Sequence, residues 1–311
     1  MTLIADARID LPMLPPLADW QDTCATLHMW TQVAGKVRLM LSPDINHGWG
    51  STLYVTTRGL TTSPIPYSDF SFAIDFDFID HLLHITTTQG TTRTFPLEPM
   101  AVAVFYRKTM QALRELGIEI KIFARPVEVE VAIPFEMDEQ HSSYDAEAVA
   151  RYWHALVRVD QIFKEFRARF IGKVSPVHFF WGGFDLAVTR FSGRTAPKHP
   201  GGAPNVAARI MEEAYSHEVS SAGFWPGTGL GEAAFYAYAY PAPAGFSTYP
   251  VQPESAYFHE QLGEFILPYD AVRKAENPEQ ALLSFLQTTY EAAANLAEWD
   301  RSALERKTSQ I

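Results

Sequence analysis

A short motif occurs twice in this chain, once in each half. Trp49-Gly50 is followed after six residues by Thr57-Arg58, and Trp181-Gly182 is followed after the same interval by Thr189-Arg190. Each motif comes after a helical pattern, and each half closes with a short strand, a proline and an amphipathic helix. The recurrence predicts an internally duplicated fold, in which a unit of helix, antiparallel sheet and helix is used twice.

The spacing of apolar residues predicts the elements of each unit. Residues 70–78 place four phenylalanines on one face and Asp75 and Asp77 on the other, which is the pattern of a half-buried strand. Residues 20–34 follow the helical period, and residues 36–41 read as a short strand. Strands that expose one face bury the other under helices. We therefore predict an α+β fold with pseudo-twofold symmetry and helices packed on antiparallel sheet.

Composition shifts along the chain predict four regions. They are an N-terminal α+β repeat (1–124), an acidic connector (125–144), a C-terminal α+β repeat with long loops (145–299) and a polar tail (300–311). Two long segments of the second repeat, 194–215 and 241–262, have no counterpart in the first. Because long loops inside a compact domain are often functional, we expect the functional site in the C-terminal half.

Charge and cysteine content narrow the class of partner. The 311 residues carry a formal net charge of −11 at pH 7, which repels nucleic-acid phosphates and anionic lipid. We expect neither a nucleic-acid partner nor a membrane partner. The single cysteine, Cys24, excludes an internal disulfide, and residues 1–8 lack the pattern of a secretory signal. These features predict a cytoplasmic protein.

Residues able to transfer a proton concentrate in the second half. The candidates are His178, His217 and Asp185, because a histidine beside a carboxylate can act as a base. If their strands are neighbours, His178 or Asp185 faces His217 across the ladder. The alternative is that the histidines are half-buried and satisfied by backbone carbonyls.

Further residues of the second half are candidates for binding a ligand. They are Trp181, Arg190, Arg194, Trp225, Tyr236 and Tyr238. The tyrosines alternate with alanines and share one strand face, which suits a ligand wall, a subunit interface or an ordinary sheet surface. Arg194 or Lys198 would select a carboxylate or phosphate group. Arg190 ends an apolar strand face, so a structural ion pair is its competing interpretation.

Motifs for metals and cofactors are not recognisable. The chain has no cysteine cluster and no histidine pair at the spacing of a zinc-binding helix. The glycines of residues 227–231 lack the spacing of a phosphate-binding loop. We therefore predict no metal and no cofactor.

Four long stretches are distinctive. They are Gly-Leu-Thr-Thr-Ser-Pro-Ile-Pro (59–66), Asp-Phe-Asp-Phe-Ile-Asp-His (75–81), Ser-Pro-Val-His-Phe-Phe-Trp-Gly (175–182) and Asp-Leu-Ala-Val-Thr-Arg-Phe-Ser-Gly-Arg (185–194). With them, nearly the whole chain resembles an uncharacterised bacterial family, domain of unknown function 5996. The resemblance implies no assigned activity, substrate, cofactor or catalytic residue.

Two functions stay open at this point. The first is a small-molecule-binding protein, with or without catalysis, whose cleft lies between His178, Trp181, Asp185, His217, Trp225 and the row formed by Tyr236 and Tyr238. The second is an interaction or scaffold protein that forms a homodimer through its tyrosine-rich surface and catalyses nothing.

Overall fold

A computed structural model of the chain describes residues 10–307. The prediction that residues 1–8 are not a secretory signal lies outside the described residues. So does the part of the predicted polar tail that covers residues 308–311. Helices and antiparallel strands make up most of the remainder. The α+β class is confirmed.

The first half contains helices α1 and α2 and a six-stranded sheet. The elements are α1 (Leu17–Leu41), β1 (Tyr54–Val55), β2 (Gly59–Thr61), β3 (Ile65–Tyr67), β4 (Phe70–Asp77), β5 (Leu82–Thr87), β6 (Thr92–Pro96) and α2 (Val102–Glu115). The strand order is β1-β2-β4-β5-β6, and β3 pairs with β4. The predicted alternation of β4 is confirmed, since Phe72, Ile74 and Phe76 are buried.

The second half contains a second six-stranded antiparallel sheet, with strand order β11-β12-β10-β9-β8-β7. Its elements are α3 (Ala146–Ala168), β7 (His178–Phe180), β8 (Asp185–Thr195), α4 (Ala208–Ala214), β9 (His217–Trp225), β10 (Ala234–Tyr240), β11 (Tyr257–His259), β12 (Glu264–Pro268), α5 (Tyr269–Arg273), α6 (Pro278–Leu296) and α7 (Arg301–Leu304).

The two sheets meet edge to edge. The backbone nitrogen of Leu53 donates to the carbonyl of Phe179 at 2.9 Å, and the nitrogen of Phe179 donates back at 2.8 Å. Leu53 directly precedes β1, and Phe179 lies in β7, so the edge strands of the two sheets are joined. The order of long helix, strands and helix therefore recurs on the two sides of this bridge.

Helices cover one face of the C-terminal sheet. Tyr152 of α3 packs on Phe224 with ring centroids 5.9 Å apart, and Phe163 packs on Phe235 at 6.5 Å. Because successive strand residues point to opposite faces, the neighbours of Phe224 and Phe235 project from the face away from these helices. That face is called the open face below.

The repeated motif does not occupy equivalent places. Trp49-Gly50 precedes β1, whereas Trp181-Gly182 lies in the turn between β7 and β8. Arg58 is half-exposed and pairs with Asp77 at 2.5 Å, whereas Arg190 is fully buried within β8. The motif is thus no marker of a structural repeat. Internal duplication and the four region boundaries stay predictions.

Residues 36–41 are helical, and the strand predicted there is wrong. Helix α1 continues unbroken to Leu41. Gly35 does not end the helix but sits in its interior, where a Cβ atom would overlap the indole ring of Trp181. This glycine is explained by close packing between α1 and the β7–β8 turn.

Candidate functional site

Three carboxyl groups from separate segments border the open face of the C-terminal sheet. Asp185 begins β8, Glu264 begins β12, and Glu128 belongs to the connector between the halves. Burial raises the pKa of both glutamates, and the negative charge of Asp185 raises it further, so each glutamate lies within electrostatic reach of Asp185. They form the acidic edge of the candidate cleft.

Asp185 is joined to Tyr236 across an intervening strand. Gly223 of β9 pairs with Ala187 on one side and with Tyr236 of β10 on the other. A Cβ atom at Gly223 would overlap the phenol ring of Tyr236. Because Gly223 has no side chain, that phenol lies across β9 and donates a hydrogen bond to Oδ2 of Asp185.

The connector holds Glu128 over the β7–β8 turn. Its backbone nitrogen donates to the carbonyl of Pro204 at 2.8 Å, and the adjacent Val127 exchanges two 2.9 Å hydrogen bonds with the side-chain amide of Gln32. A Cβ atom at Gly182 would lie 2.9 Å from Cδ of Glu128, so the carboxylate rests on bare backbone. Glu128 has a φ of 58°, a left-handed conformation that is uncommon outside glycine and recurs at functional sites.

These carboxyl groups titrate close to neutral pH. Burial raises the pKa of Asp185 to about 6, and the hydrogen bond from Tyr236 partly opposes this. Burial, with repulsion from Asp185, raises the pKa of Glu264 to about 7. The pKa of Glu128 is raised by the same causes, although this residue is exposed. Within residues 10–307, none of the three forms a salt bridge. Such groups can bind a cation or exchange a proton.

Aromatic rings form the wall beside the carboxyl groups. Tyr236 and Tyr238 stack with centroids 6.1 Å apart and an interplanar angle of 14°, and Trp225 contacts Tyr236 at 5.5 Å. The hydroxyl groups of Tyr238 and Tyr215 are hydrogen-bonded at 2.9 Å. Burial raises the pKa of Tyr236 and of Tyr238 well above the ordinary value, so both phenols keep their protons.

The two candidate histidines do not face each other. His178 pairs with Ala187, whereas His217 pairs with Thr195 at the other end of β8, so the predicted juxtaposition is wrong. Asp185 pairs with Phe180 and does not face His217 either. The cause is register, which the turn lengths set and the residue types do not reveal.

His178 is a neutral core residue. It is fully buried, its ring packs at 4.4 Å from Phe180, and burial lowers its pKa to about 3. Neither ring nitrogen has a hydrogen-bond partner within residues 10–307, so the predicted backbone-carbonyl partners are not found for His178. His217 is half-buried, with Nδ1 3.0 Å from the hydroxyl of Ser216.

The predicted cationic groups are engaged outside the cleft. Arg190 points to the helix-covered side, where its guanidinium stacks 3.5 Å from the ring centre of Phe166. The ion pair predicted for Arg190 is not found in the described part of the chain. Arg194 pairs with Glu218 at 2.7 Å, and Lys198 pairs with a glutamate of α4 at 2.8 Å. Arg190 therefore faces the helices, and the other two cations each have an acidic partner.

Trp181 packs away from the carboxyl groups. It is 7% exposed, and its indole nitrogen donates to the carbonyl of Ser51 at 2.7 Å. Of the predicted residues, the structure brings together Asp185, Trp225, Tyr236 and Tyr238. Sequence reasoning missed Glu128, Glu264 and Tyr215, because nothing in their local patterns distinguishes them from surface residues.

The chain matches a known family over nearly its whole length. Residues 11–306 match a family of unknown function (DUF5996), which confirms the resemblance seen in the motifs. The chain belongs to this family. No curated protein and no solved structure matches it. In the described part of this DUF5996 member, no helix has both the length and the apolar character of a membrane span.

We expect the Glu264→Gln variant to be stabilised at high pH only. The pKa of Glu264 in the folded state, about 7, exceeds the ordinary 4.5, so the folded state binds more protons between these values and loses stability as pH rises through them. At pH 8 the variant should be about 1 kcal/mol more stable, with allowance for solvent screening of this half-buried group. At pH 4 it should equal the wild type.

Urea unfolding at both pH values measures this difference. Glu260→Gln is the matched control, because Glu260 is exposed in the same region of the chain. The control should change stability at neither pH. An equal gain for Glu264→Gln at pH 4 and pH 8 would show that ionisation of Glu264 is not responsible.

Proposed function

We propose that the protein binds a small organic molecule carrying a protonated amine in the cleft between Asp185, Glu128, Glu264 and the stacked Tyr236 and Tyr238. The observation that carries this proposal is the closeness of two carboxyl groups: a Cβ atom at Gly183 would lie 2.7 Å from Oδ1 of Asp185 and 3.4 Å from Oε2 of Glu128. Neither of them, nor Glu264 on the same face of the sheet, forms a salt bridge within residues 10–307. A bound ammonium group would supply the missing charge and favour the ionised carboxylates.

The aromatic wall supports the same class of ligand. Trp225 and Tyr236 present ring surfaces beside the carboxyl groups, and such faces attract cations and flat apolar groups. The anionic ligand expected from Arg194 and Lys198 has less support, because both side chains are ion-paired. The proposal keeps the protein in the cytoplasm, in agreement with the single, buried Cys24.

A thermal-shift screen tests this proposal. The panel should contain primary amines, including polyamines and amino sugars, each beside its neutral and its carboxylate analogue. Only the amines should stabilise the protein. Asp185→Asn should weaken a stabilising amine about tenfold or more, because it removes a charge-assisted hydrogen bond. Glu130→Gln, in the same exposed connector, should leave the affinity unchanged.

Stabilisation by the carboxylate analogues, or by no member of the panel, would contradict the proposal. The alternative, a homodimer through the tyrosine row, has less support from the contacts of these phenols. The hydroxyl of Tyr240 donates to the carbonyl of Pro197 at 3.1 Å, and those of Tyr236 and Tyr238 are bonded to Asp185 and Tyr215. Native mass measurement of the wild type and of Tyr238→Asp separates the two proposals. A wild-type dimer that dissociates in Tyr238→Asp would favour the homodimer, and a monomer in both would exclude it.

A further inference from the structure

A groove in the first half is lined by apolar and basic side chains. It is an open depression between α2 and residues 119–136, with a volume of about 1300 Å³. Tyr106 and Met110 of α2 form one wall, and Ile120 and Phe123 form the other. No residue of this groove belongs to the carboxylate cleft, so its role is separate from the function proposed above.

The groove is positively charged in an acidic protein. Its cations are Arg107, Arg114, Lys121 and Arg125, and all four are exposed. None of them forms a salt bridge within residues 10–307. They outnumber the two acids of the lining, Glu119 and Glu136, although the whole chain carries −11. Unpaired charges of one sign suit a partner of the opposite sign.

Large apolar side chains stay exposed between residues 119 and 137. Phe123 is 69% exposed, Met137 69% and Val131 74%. The ammonium group of the buried Lys36 lies 5.4 Å from the ring centre of Phe123. Exposed apolar groups rimmed by charge are characteristic of surfaces that bind another protein.

We propose that this groove binds an acidic amphipathic peptide segment of a partner protein. Apolar side chains of the segment pack between Met110 and Phe123, and its carboxylates pair with cations on both walls. The wall from Tyr106 to Arg114 is about 12 Å long at the rise of an α-helix, which accommodates roughly two turns of a bound helix. A narrow peptide segment can enter a concave groove and contact both of its walls. A flat lipid surface would contact only the rim, so a peptide fits the groove better than a membrane.

Fluorescence anisotropy with the full-length protein tests the proposal. The probe is a short labelled peptide with leucines at helical spacing and glutamates elsewhere, and the comparison peptide carries lysine in place of every glutamate. We expect the glutamate peptide to bind, to bind more weakly as salt is added and to compete with its unlabelled form. The lysine peptide should not bind.

Charge reversal on α2 localises the binding. Arg107→Glu combined with Arg114→Glu should weaken the glutamate peptide about tenfold or more, and Phe123→Ser should weaken it without changing the salt dependence. Arg158→Glu on α3 is the control, because Arg158 is also exposed and its hydrogen-bond partner within residues 10–307 is a glutamine. Because all the altered side chains are exposed, the variants should fold like the wild type, and urea unfolding checks this.

Absence of binding by the glutamate peptide overturns the proposal. Equal affinity for the two peptides, or an unchanged affinity in the double variant, overturns it as well. Sedimentation with phosphatidylserine vesicles but not with phosphatidylcholine vesicles, without peptide binding, assigns the groove to anionic lipid instead.

Discussion

Replacing Gly35 by alanine is expected to lower the free energy of unfolding by about 3 kcal/mol. This reverses the usual effect, because alanine in a helix interior is ordinarily about 1 kcal/mol more stable than glycine. At this position the added methyl group would overlap the indole of Trp181. That ring is buried and donates a hydrogen bond to the carbonyl of Ser51. If the ring moved to make room for the methyl group, it would lose its packing and this hydrogen bond.

A double-mutant cycle with Trp181→Leu measures the contact directly. Trp181→Leu alone should be destabilising, and adding Gly35→Ala to it should cost little or should restore some stability, because the overlap is gone. We expect a coupling energy of about 2 kcal/mol or more from urea unfolding. A Gly35→Ala variant more stable than the wild type would refute this account of α1 packing.

The second large effect is expected at Arg190, where alanine should cost about 3 kcal/mol. The guanidinium is 1% exposed and lies between aromatic rings, 3.5 Å from the centre of Phe166 and 4.4 Å from that of Tyr290. It also donates to the carbonyl of Phe166. Alanine would leave a cavity and remove one of the two hydrogen bonds that this carbonyl accepts, the other coming from the backbone nitrogen of Arg169 at 3.3 Å.

Two further variants separate volume from charge at Arg190. Burial lowers the pKa of Arg190 to about 9, so its charge is costly there, and Arg190→Met should lose only about 1 kcal/mol because it refills the volume. Arg158→Ala, on the exposed face of α3, should change little. Chemical denaturation of all three variants measures the loss of unfolding free energy in each. A loss in Arg190→Met as large as in Arg190→Ala would show that packing is not the main contribution.

Local periodicity was a good guide to regular elements. The strand predicted over residues 70–78 is β4, because an alternation of period two describes a strand with one buried face. The same reasoning failed at residues 36–41, where α1 continues. The side chain of Arg38 in this segment donates a hydrogen bond to the carbonyl of Gly50 at 2.9 Å. The spacing of neighbouring residue types does not predict such a contact with a later segment.

Half of the candidate cleft could be predicted in the same way. Tyr236 and Tyr238 share a face because they alternate in one strand, and Asp185 joins them because Gly223 leaves space across β9. Glu128 and Glu264 come from the connector and from β12, far apart in the chain. The position of Glu128 close to Asp185 follows from the docking of the connector, and that of Glu264 on the open face follows from the pairing of β12 with β10.

The sequence by itself determined the α+β class, the faces of its longer strands, the acidic charge and membership of the family. These depend on the type and period of neighbouring residues, and periodicity is a local property of the backbone. Only the tertiary structure decided strand register, the joining of the two sheets and the approach of Glu128 to Asp185. Each of these arises from contacts between residues distant in the chain, whose combined packing energy selects one arrangement among many that the local patterns allow.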